Sequence, residues 1–163
     1  QVYLTIIRGT PMMVQLMIMY FVVFSSSRHE VAVATLAFGI NSGAYVAEIV
    51  RGGIMSVDAG QMEAGRSLGM NYTQTMRHII IPQAIKNILP ALGNEMITLL
   101  KDTSLMTVIG AKDLTKAAQT VQAVTYQAFM PYISIAVIYL VCVIALSKLL
   151  ALIERRMRNS DRR

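Results

Sequence analysis

Apolar side chains in this chain form long blocks, and most charged side chains lie between the blocks. The blocks cover residues 12–24, 31–50, 88–109 and 132–153. A helix needs about 20 mainly apolar residues to cross the hydrocarbon core of a bilayer. We therefore predict an all-α, multi-pass membrane protein with four visible spans. The first block is short, so its helix either begins before Arg8 and kinks at Pro11, or is broken there.

Positive charges are distributed unequally between the two sides of these spans. One side carries Arg8, the region between the second and third blocks and the C-terminal tail; the basic residues of that region and the tail are Arg51, Arg66, Arg77, Lys86, Arg155, Arg156, Arg158, Arg162 and Arg163. The other side carries Arg28, Lys112 and Lys116. Because cytoplasmic segments next to spans hold the excess of Lys and Arg, we expect both visible termini and the polar loop to be cytoplasmic.

The polar loop, residues 58–82, carries a dense set of local helix signals. Asp58 and Asn71 can each cap a helix, and each is followed three residues later by a glutamine, Gln61 or Gln74, as in a capping box. Gly69 can end the first helix in a left-handed conformation. The second helix is expected to end near Pro82, because the residue before a proline avoids the α region. The sequence thus predicts two short helices joined at a glycine.

The spacing of this loop resembles the EAA loop of importer permeases of the ATP-binding-cassette (ABC) class. That pattern is Glu-Ala-Ala, three residues, Gly, nine residues and Ile-x-Leu-Pro. The residues that match are Glu63, Ala64, Gly69, Ile79 and Pro82. Gly65 replaces the second alanine and Ile81 replaces the leucine. We expect both replacements to be mild, with Gly65 loosening the first helix by about 1 kcal/mol relative to alanine.

Longer strings are similar to one branch of these permeases, the importers of polar amino acids. Residues 8–16 resemble the second span of that branch, residues 41–54 its third span, and residues 90–95 and 99–105 its fourth. The resemblance implies a type I ABC importer permease, a helical bundle with a cytoplasmic coupling helix. Residues 1–163 are then one transmembrane permease domain that lacks the family's first span, with the coupling loop at residues 58–82.

The resemblance also implies partners and a location. A permease of this kind works with two ATPase subunits, a second permease protomer in a homodimer or heterodimer, and an extracytoplasmic amino acid binding protein. It lies in the bacterial inner membrane and moves substrate by alternating access. The five matching loop residues would couple it to the ATPase. This sequence has no phosphate-binding loop of the Gly-x4-Gly-Lys-Ser/Thr type, so we expect no enzyme activity and no cofactor, with ATP and magnesium bound by the ATPase subunit.

Three polar residues share one face of the fourth predicted span. Glu95, Thr98 and Asp102 are spaced i, i+3 and i+7. An ionised side chain near mid-bilayer costs about 2.5–3.5 kcal/mol on insertion scales, so this face should point at protein or water. The three residues either line a substrate path for an amino acid, or the acidic ones form a structural ion pair with Lys101 or with an arginine of another span.

Other polar residues have simpler interpretations. In the second block Glu48 is expected to pair with Arg51, and Asn41 and Ser42 to form hydrogen bonds across helices. His29 and His78 lie far apart and Cys142 is alone, so no metal site is predicted. The basic tail has no aromatic platform beside it, which argues against nucleic acid binding.

The functional alternative is a secondary amino acid transporter or gated pore that needs no ATPase. Its polar span would be an ion or substrate path. The EAA-like spacing argues against it, because such a protein has no use for a helix–glycine–helix coupling element. The sequence does not specify which amino acid is carried.

Overall fold

The computed structural model describes residues 2–159, without the side chains of residues 157–159, and every regular element in this part of the chain is a helix. The helices are α1 (Val2–Gly9), α2 (Met12–Ile18, continued by a π turn at Met19–Val23), α3 (Glu30–Met55), α4 (Ala59–Ser67), α5 (Tyr72–Thr75, continued by a π turn at Met76–Ile80), α6 (Ile81–Asp102, continued by a 3₁₀ helix at Thr103–Ile109), α7 (Leu114–Thr125) and α8 (Phe129–Asn159). Arg162 and Arg163 of the predicted basic tail lie outside the described residues.

Two of the described helices are long and apolar enough to cross a membrane, namely α3 and the part of α8 at Phe129–Arg156. A third span is possible if α1 and the helix at Met12–Val23 are taken together, although they meet at a bend of 103°. The fourth predicted span, residues 88–109, is not one uniform helix. It is divided between α6 and the 3₁₀ helix. Because it contains many polar residues, it is not among the helices that are apolar enough to cross a membrane.

The bend between α1 and α2 shows that the first predicted span is broken rather than gently kinked. Pro11 has an extended backbone, with φ −63° and ψ 136°, ahead of α2. The amide Nε2 of Gln15 donates to the carbonyls of Ile7 at 2.6 Å and Thr10 at 3.1 Å. Its Oε1 accepts from Asn41 Nδ2 at 3.0 Å, which confirms that Asn41 forms a hydrogen bond across helices. Gln15 therefore satisfies carbonyls that the break leaves without helical partners.

The chain divides into two compact units, Gln1–Tyr45 with Met96–Ser147 and Val46–Glu95 with Lys148–Arg163. The core of the first unit surrounds Leu16, whose side chain is fully buried. The other buried members of this core are Ala34, Ala37, Phe38, Ile109 and Ala111. Small side chains on α3 thus allow α2 and the 3₁₀ helix to pack closely, as is usual between membrane helices.

The second unit is built on close approaches at two glycines. A Cβ atom at Gly53 of α3 would overlap the side chain of Ile88 in α6. A Cβ atom at Gly93 of α6 would lie 2.9 Å from Cδ1 of Leu150 in α8. Real Cβ atoms do not approach other atoms this closely, so a methyl group at either position would force the side chain of Ile88 or Leu150 to move. The Glu48–Arg51 pair expected on α3 is present in this unit and confirms that prediction.

The prediction that the second loop helix ends near Pro82 is wrong. Ile81 lies in the α region, with φ −59° and ψ −44°, and the helix continues through Pro82 to Asp102. A proline inside a helix normally clashes with the carbonyl four residues earlier. Here a π turn precedes it, and the N–H of Ile81 donates to the carbonyl of Met76, five residues back. The wider π turn changes the helix geometry ahead of Pro82 and thereby relieves this clash.

Candidate functional site

The coupling loop, residues 58–82, begins with a side-chain cap on α4. Asp58 Oδ1 accepts from the backbone N–H of Gly60 at 2.7 Å, which confirms Asp58 as the N-cap. The capping box expected with Gln61 is not formed. Gln61 Oε1 instead accepts from Nε2 of Gln83 in α6 at 3.2 Å, because that amide lies within its reach.

The end of α4 is a Schellman motif at Gly69, as the sequence predicts. Gly69 has φ +79°, and its N–H donates to the carbonyl of Arg66 at 2.9 Å. The N–H of Met70 donates to the carbonyl of Gly65 at 3.1 Å, which completes the two-bond motif. A Cβ atom at Gly69 would meet nothing within 4 Å. The need for glycine there is therefore set by the left-handed backbone and not by lack of space.

The start of α5 is fixed by a complete capping box, which confirms that prediction. Asn71 Oδ1 accepts from the N–H of Gln74 at 2.9 Å, and Gln74 Oε1 accepts from the N–H of Asn71 at 2.9 Å. Only residues 68–71 separate α4 from α5. Both ends of this connection are thus fixed by hydrogen bonds, so the direction of α5 relative to α4 is well determined.

The two helices of the loop touch at Gly65 and Thr75. Both residues are buried, and the Thr75 side chain is 0% exposed. A Cβ atom at Gly65 would lie 2.5 Å from Cγ2 and 2.8 Å from Oγ1 of Thr75. The sequence predicted only that Gly65 loosens α4, but the structure shows that Gly65 also lies at the contact between α4 and α5. The absence of a side chain lets α4 and α5 approach each other.

Polar side chains of α6 contact the loop and the residues that precede it. Asn87 Nδ2 donates to Ser56 Oγ at 2.9 Å, and Ser56 Oγ donates to the carbonyl of Gly53 at 2.8 Å. Gln83 Nε2 donates to the carbonyl of Ile79 at 3.0 Å in addition to its bond with Gln61. The Gln83 contacts join loop residues Gln61 and Ile79 to α6, and the Asn87 contact joins α6 to Ser56, which lies between α3 and the loop.

The predicted coupling residues differ in exposure. Glu63, Ala64, Gly69 and Pro82 are exposed, whereas Ile79 is half-buried. Glu63 lies on α4, and its carbonyl accepts from the hydroxyl of the residue four positions later. The four exposed residues are thus on the accessible surface of the loop, where a soluble partner could contact them.

Sequence reasoning missed three apolar side chains on or beside the loop. Leu68 is 79% exposed, Tyr72 is 58% exposed and Met55, at the end of α3, is 70% exposed. Leu68 and Tyr72 flank the Gly69 turn. The sequence signal for the exposure of Leu68 was its position directly before Gly69, because a residue at the end of a helix is held away from the helix packing.

The polar face of α6 is carried by Glu95, Thr98 and Asp102. Glu95 and Asp102 are half-buried, and Thr98 is exposed and interacts with another group. Asp102 is the last residue of α6, at the point where the α-helix changes to a 3₁₀ helix. Lys101 is exposed, and among the described residues no ion pair within 4 Å joins it to Asp102. The Lys101 charge still acts on the Asp102 carboxylate, so the substrate path and the structural ion pair both stay predictions.

No group of three or more His, Cys, Asp or Glu side chains in the described part of the chain is arranged to hold a metal ion. The ring of His78 contacts the backbone of the coupling loop, with its Nδ1 2.9 Å from the carbonyl oxygen of Gln74. Cys142 is a free, exposed cysteine on α8.

Comparison with known proteins gives consistent matches over nearly the whole chain. The chain is 42% identical over 161 residues to the glutamine transport system permease protein GlnP of Escherichia coli (strain K12), covering 96% of this chain and 74% of that protein. It is 40% identical over 162 residues to the arginine transport system permease protein ArtQ of Bacillus subtilis (strain 168), covering 98% of this chain and 74% of that protein.

Solved structures agree with these sequence matches. A crystal structure of an amino acid ABC transporter with histidines superposes with a TM-score of 0.89 and 54% identity, covering 95% of this chain and 73% of that chain. A chain of the MetNI methionine ABC transporter, in an inward-facing conformation, superposes with a TM-score of 0.80 at 20% identity, covering 96% and 73% of the two chains, and shows the shared fold alone. A family model, described as the inner membrane component of binding-protein-dependent transport systems, matches residues 1–159. The chain therefore belongs to this family of inner membrane transport components.

Proposed function

We propose that this chain is the permease subunit of an ABC importer for polar amino acids. Relatives named as glutamine and arginine transport permeases support this substrate class, as does the similarity to an amino acid ABC transporter. The chain binds no ATP in this proposal. A separate ATPase subunit hydrolyses ATP with magnesium, and an extracytoplasmic binding protein delivers the amino acid.

The observation that carries the proposal is the construction of the coupling loop. Its turn at Gly69 has two backbone hydrogen bonds, its second helix has a full capping box, and its two helices touch at Gly65. Such a loop transmits force better than a flexible one, because few backbone groups can rearrange without losing a hydrogen bond. The exposed Glu63 and Ala64 would then contact the ATPase, and movement of the ATPase dimer would be passed through Pro82 into α6.

The orientation follows from the charges near the spans. The coupling loop and both visible termini lie on the side with the excess of Lys and Arg, and this side is cytoplasmic in the proposal. Two copies of the permease, either identical or of two related kinds, would form the membrane part of the complex. The ATPase subunits would then bind the cytoplasmic side and the binding protein the opposite side.

The substrate path would include the polar face of α6. In this proposal the half-buried carboxylates of Glu95 and Asp102 would attract the α-ammonium group of an amino acid or a cationic side chain. Thr98 would contribute a hydroxyl to the same helix face.

Purification of the full complex tests the proposal. A tag on this chain should retain an ATPase subunit in mild detergent, and substrate-loaded binding protein should stimulate ATP hydrolysis by the purified complex. A screen of the common amino acids with that stimulation as readout would identify the substrate. Purification of this chain without any ATPase, together with uptake that needs only an ion gradient, would favour a secondary transporter instead.

A further inference from the structure

We infer that Gly65 and Thr75 form a matched pair that sets the approach of the two loop helices, and that Thr75 is a positioning residue for energy coupling. The inference rests on the proposed function of the loop as the ATPase contact. It assigns a role to a residue outside the EAA-like pattern. It also explains why the pattern's second alanine is replaced by glycine in this chain.

The contact between the two residues leaves no room for even one methyl group. A Cβ atom at Gly65 would lie 2.5 Å from Cγ2 and 2.8 Å from Oγ1 of Thr75, and 3.1 Å from Cδ1 of Ile79. Distances below 3.0 Å are essentially never seen for real Cβ atoms, so the addition must displace a neighbour. The first two of these atoms belong to Thr75, which makes Thr75 the side chain that occupies the space of the missing methyl group.

Thr75 cannot easily move aside. Its side chain is 0% exposed, and its hydroxyl donates to the carbonyl of Asn71 at 3.0 Å. A β-branched side chain also has few accessible χ1 rotamers in a helix. A residue larger than glycine at position 65 would therefore displace α4 as a whole, because the near face of α5 is held by its own capping box and by this hydroxyl.

The pair lies where such a displacement affects coupling. Gly65 is adjacent in sequence to Ala64 and two residues from Glu63, the exposed residues expected to meet the ATPase. The carbonyl of Gly65 accepts the Met70 N–H that completes the Gly69 turn. Thr75 is followed directly by the π turn that leads through Pro82 into α6. The contact thus joins the half of the loop that meets the ATPase to the half that continues into the membrane.

The test uses the complete transport complex in proteoliposomes and compares three variants. Gly65→Ala should lower substrate uptake per ATP hydrolysed by at least about fivefold, since overpacking a close contact is costly. Gly65→Ala combined with Thr75→Ala should restore most of that ratio, because the second change removes both atoms that crowd the new methyl group. Gly52→Ala is the matched control: it also adds a methyl group to a helical glycine, but with nothing within 4 Å, and it should leave the ratio unchanged.

A second measurement separates this inference from the proposed function. Spin labels on cysteines introduced at the exposed Arg66 and Tyr72, one on each loop helix, in a Cys142→Ser background, report the distance between α4 and α5. That distance should change in Gly65→Ala and return in the double variant. If the distance behaves in this way while the uptake ratio stays at the wild-type value in every variant, the loop is not the coupling element and the positioning role is wrong. If Gly65→Ala leaves the distance unchanged, or the double variant does not restore it, the matched pair itself is wrong.

Discussion

The side-chain amide of Asn41 donates to that of Gln15 across 3.0 Å, linking α3 to the first turn of α2. Gln15 in turn donates to the carbonyl of Ile7 at 2.6 Å and to the hydroxyl of Thr10 at 2.7 Å. The residue after Gln15 is Leu16, the fully buried centre of the first unit's core. A polar link that would be costly in lipid is therefore used to hold a broken helix against its neighbour.

We expect removal of one partner from this link to destabilise the protein. Gln15→Leu leaves the buried Asn41 amide without its acceptor and frees the carbonyl of Ile7. Hydrogen bonds between membrane helices are worth about 0.6–1.7 kcal/mol, so the loss should be of this order. The thermal unfolding midpoint of the purified complex should fall.

A double variant that changes both Gln15 and Asn41 gives the control for that prediction. Gln15→Leu with Asn41→Leu removes both amides and leaves no unpaired partner in that bond, so its loss should be smaller than the sum of the two single losses. Strictly additive losses would mean that the two residues act independently and that their hydrogen bond does not stabilise the bend.

Gly69→Val should uncouple ATP hydrolysis from uptake without preventing membrane insertion. A β-branched residue at φ +79° is strained, at a cost of about 1–2 kcal/mol for the left-handed conformation, and α5 would change direction. The measurement is uptake per ATP hydrolysed at equal expression. Gly69→Asn is the matched control, because asparagine tolerates this region and should keep most of the coupling.

Neutralising the acidic residues of α6 tests the substrate path. Glu95→Gln and Asp102→Asn keep the side-chain shape and remove only charge. If the carboxylates bind a substrate cation, each change should remove roughly 1.5–3 kcal/mol of binding, which is about a ten- to hundredfold loss of affinity. Substrate-dependent ATPase activity at increasing substrate concentration measures this loss.

Lys101→Met supplies the comparison for these variants. Lys101 is exposed and forms no ion pair with Asp102 in the described structure, so its change should leave both affinity and thermal stability close to wild type. Reduced stability in Asp102→Asn that Lys101→Met repairs, with uptake intact, would show that the two residues form a structural pair and would remove Asp102 from the path.

The coupling loop shows how far local signals in a sequence lead. Caps at Asp58 and Asn71 and the left-handed end at Gly69 depend on side chains and backbone within a few residues, and all three were predicted correctly. The hydrogen-bond partner of Gln61 was not predicted, because it is Gln83, which lies 22 positions away in the sequence. The role of Gly65 escaped for the same reason. Helix propensity describes one helix, whereas the requirement for glycine comes from Thr75 on the next.

The continuation of the helix through Pro82 is a different kind of failure. The rule that a proline disfavours helix before it is local and usually right, but a π turn changes the hydrogen-bond register that the rule assumes. Nothing in the residues from Met76 to Ile80 marks such a turn. The substrate path, similarly, depends on side chains that other elements bring to α6, so periodicity could place Glu95 and Asp102 on one face but could not show what faces them.

Uptake into proteoliposomes tests the central claim most directly. The complete complex is reconstituted with labelled glutamine, arginine or histidine and the binding protein on one side, and ATP is supplied only on the side of the coupling loop. Uptake of at least one of these amino acids that requires ATP, and that is lost in Gly69→Val, is the predicted result. Uptake that proceeds equally without ATP, or that Gly69→Val leaves unchanged, would contradict the assignment of this chain as an ATP-coupled permease.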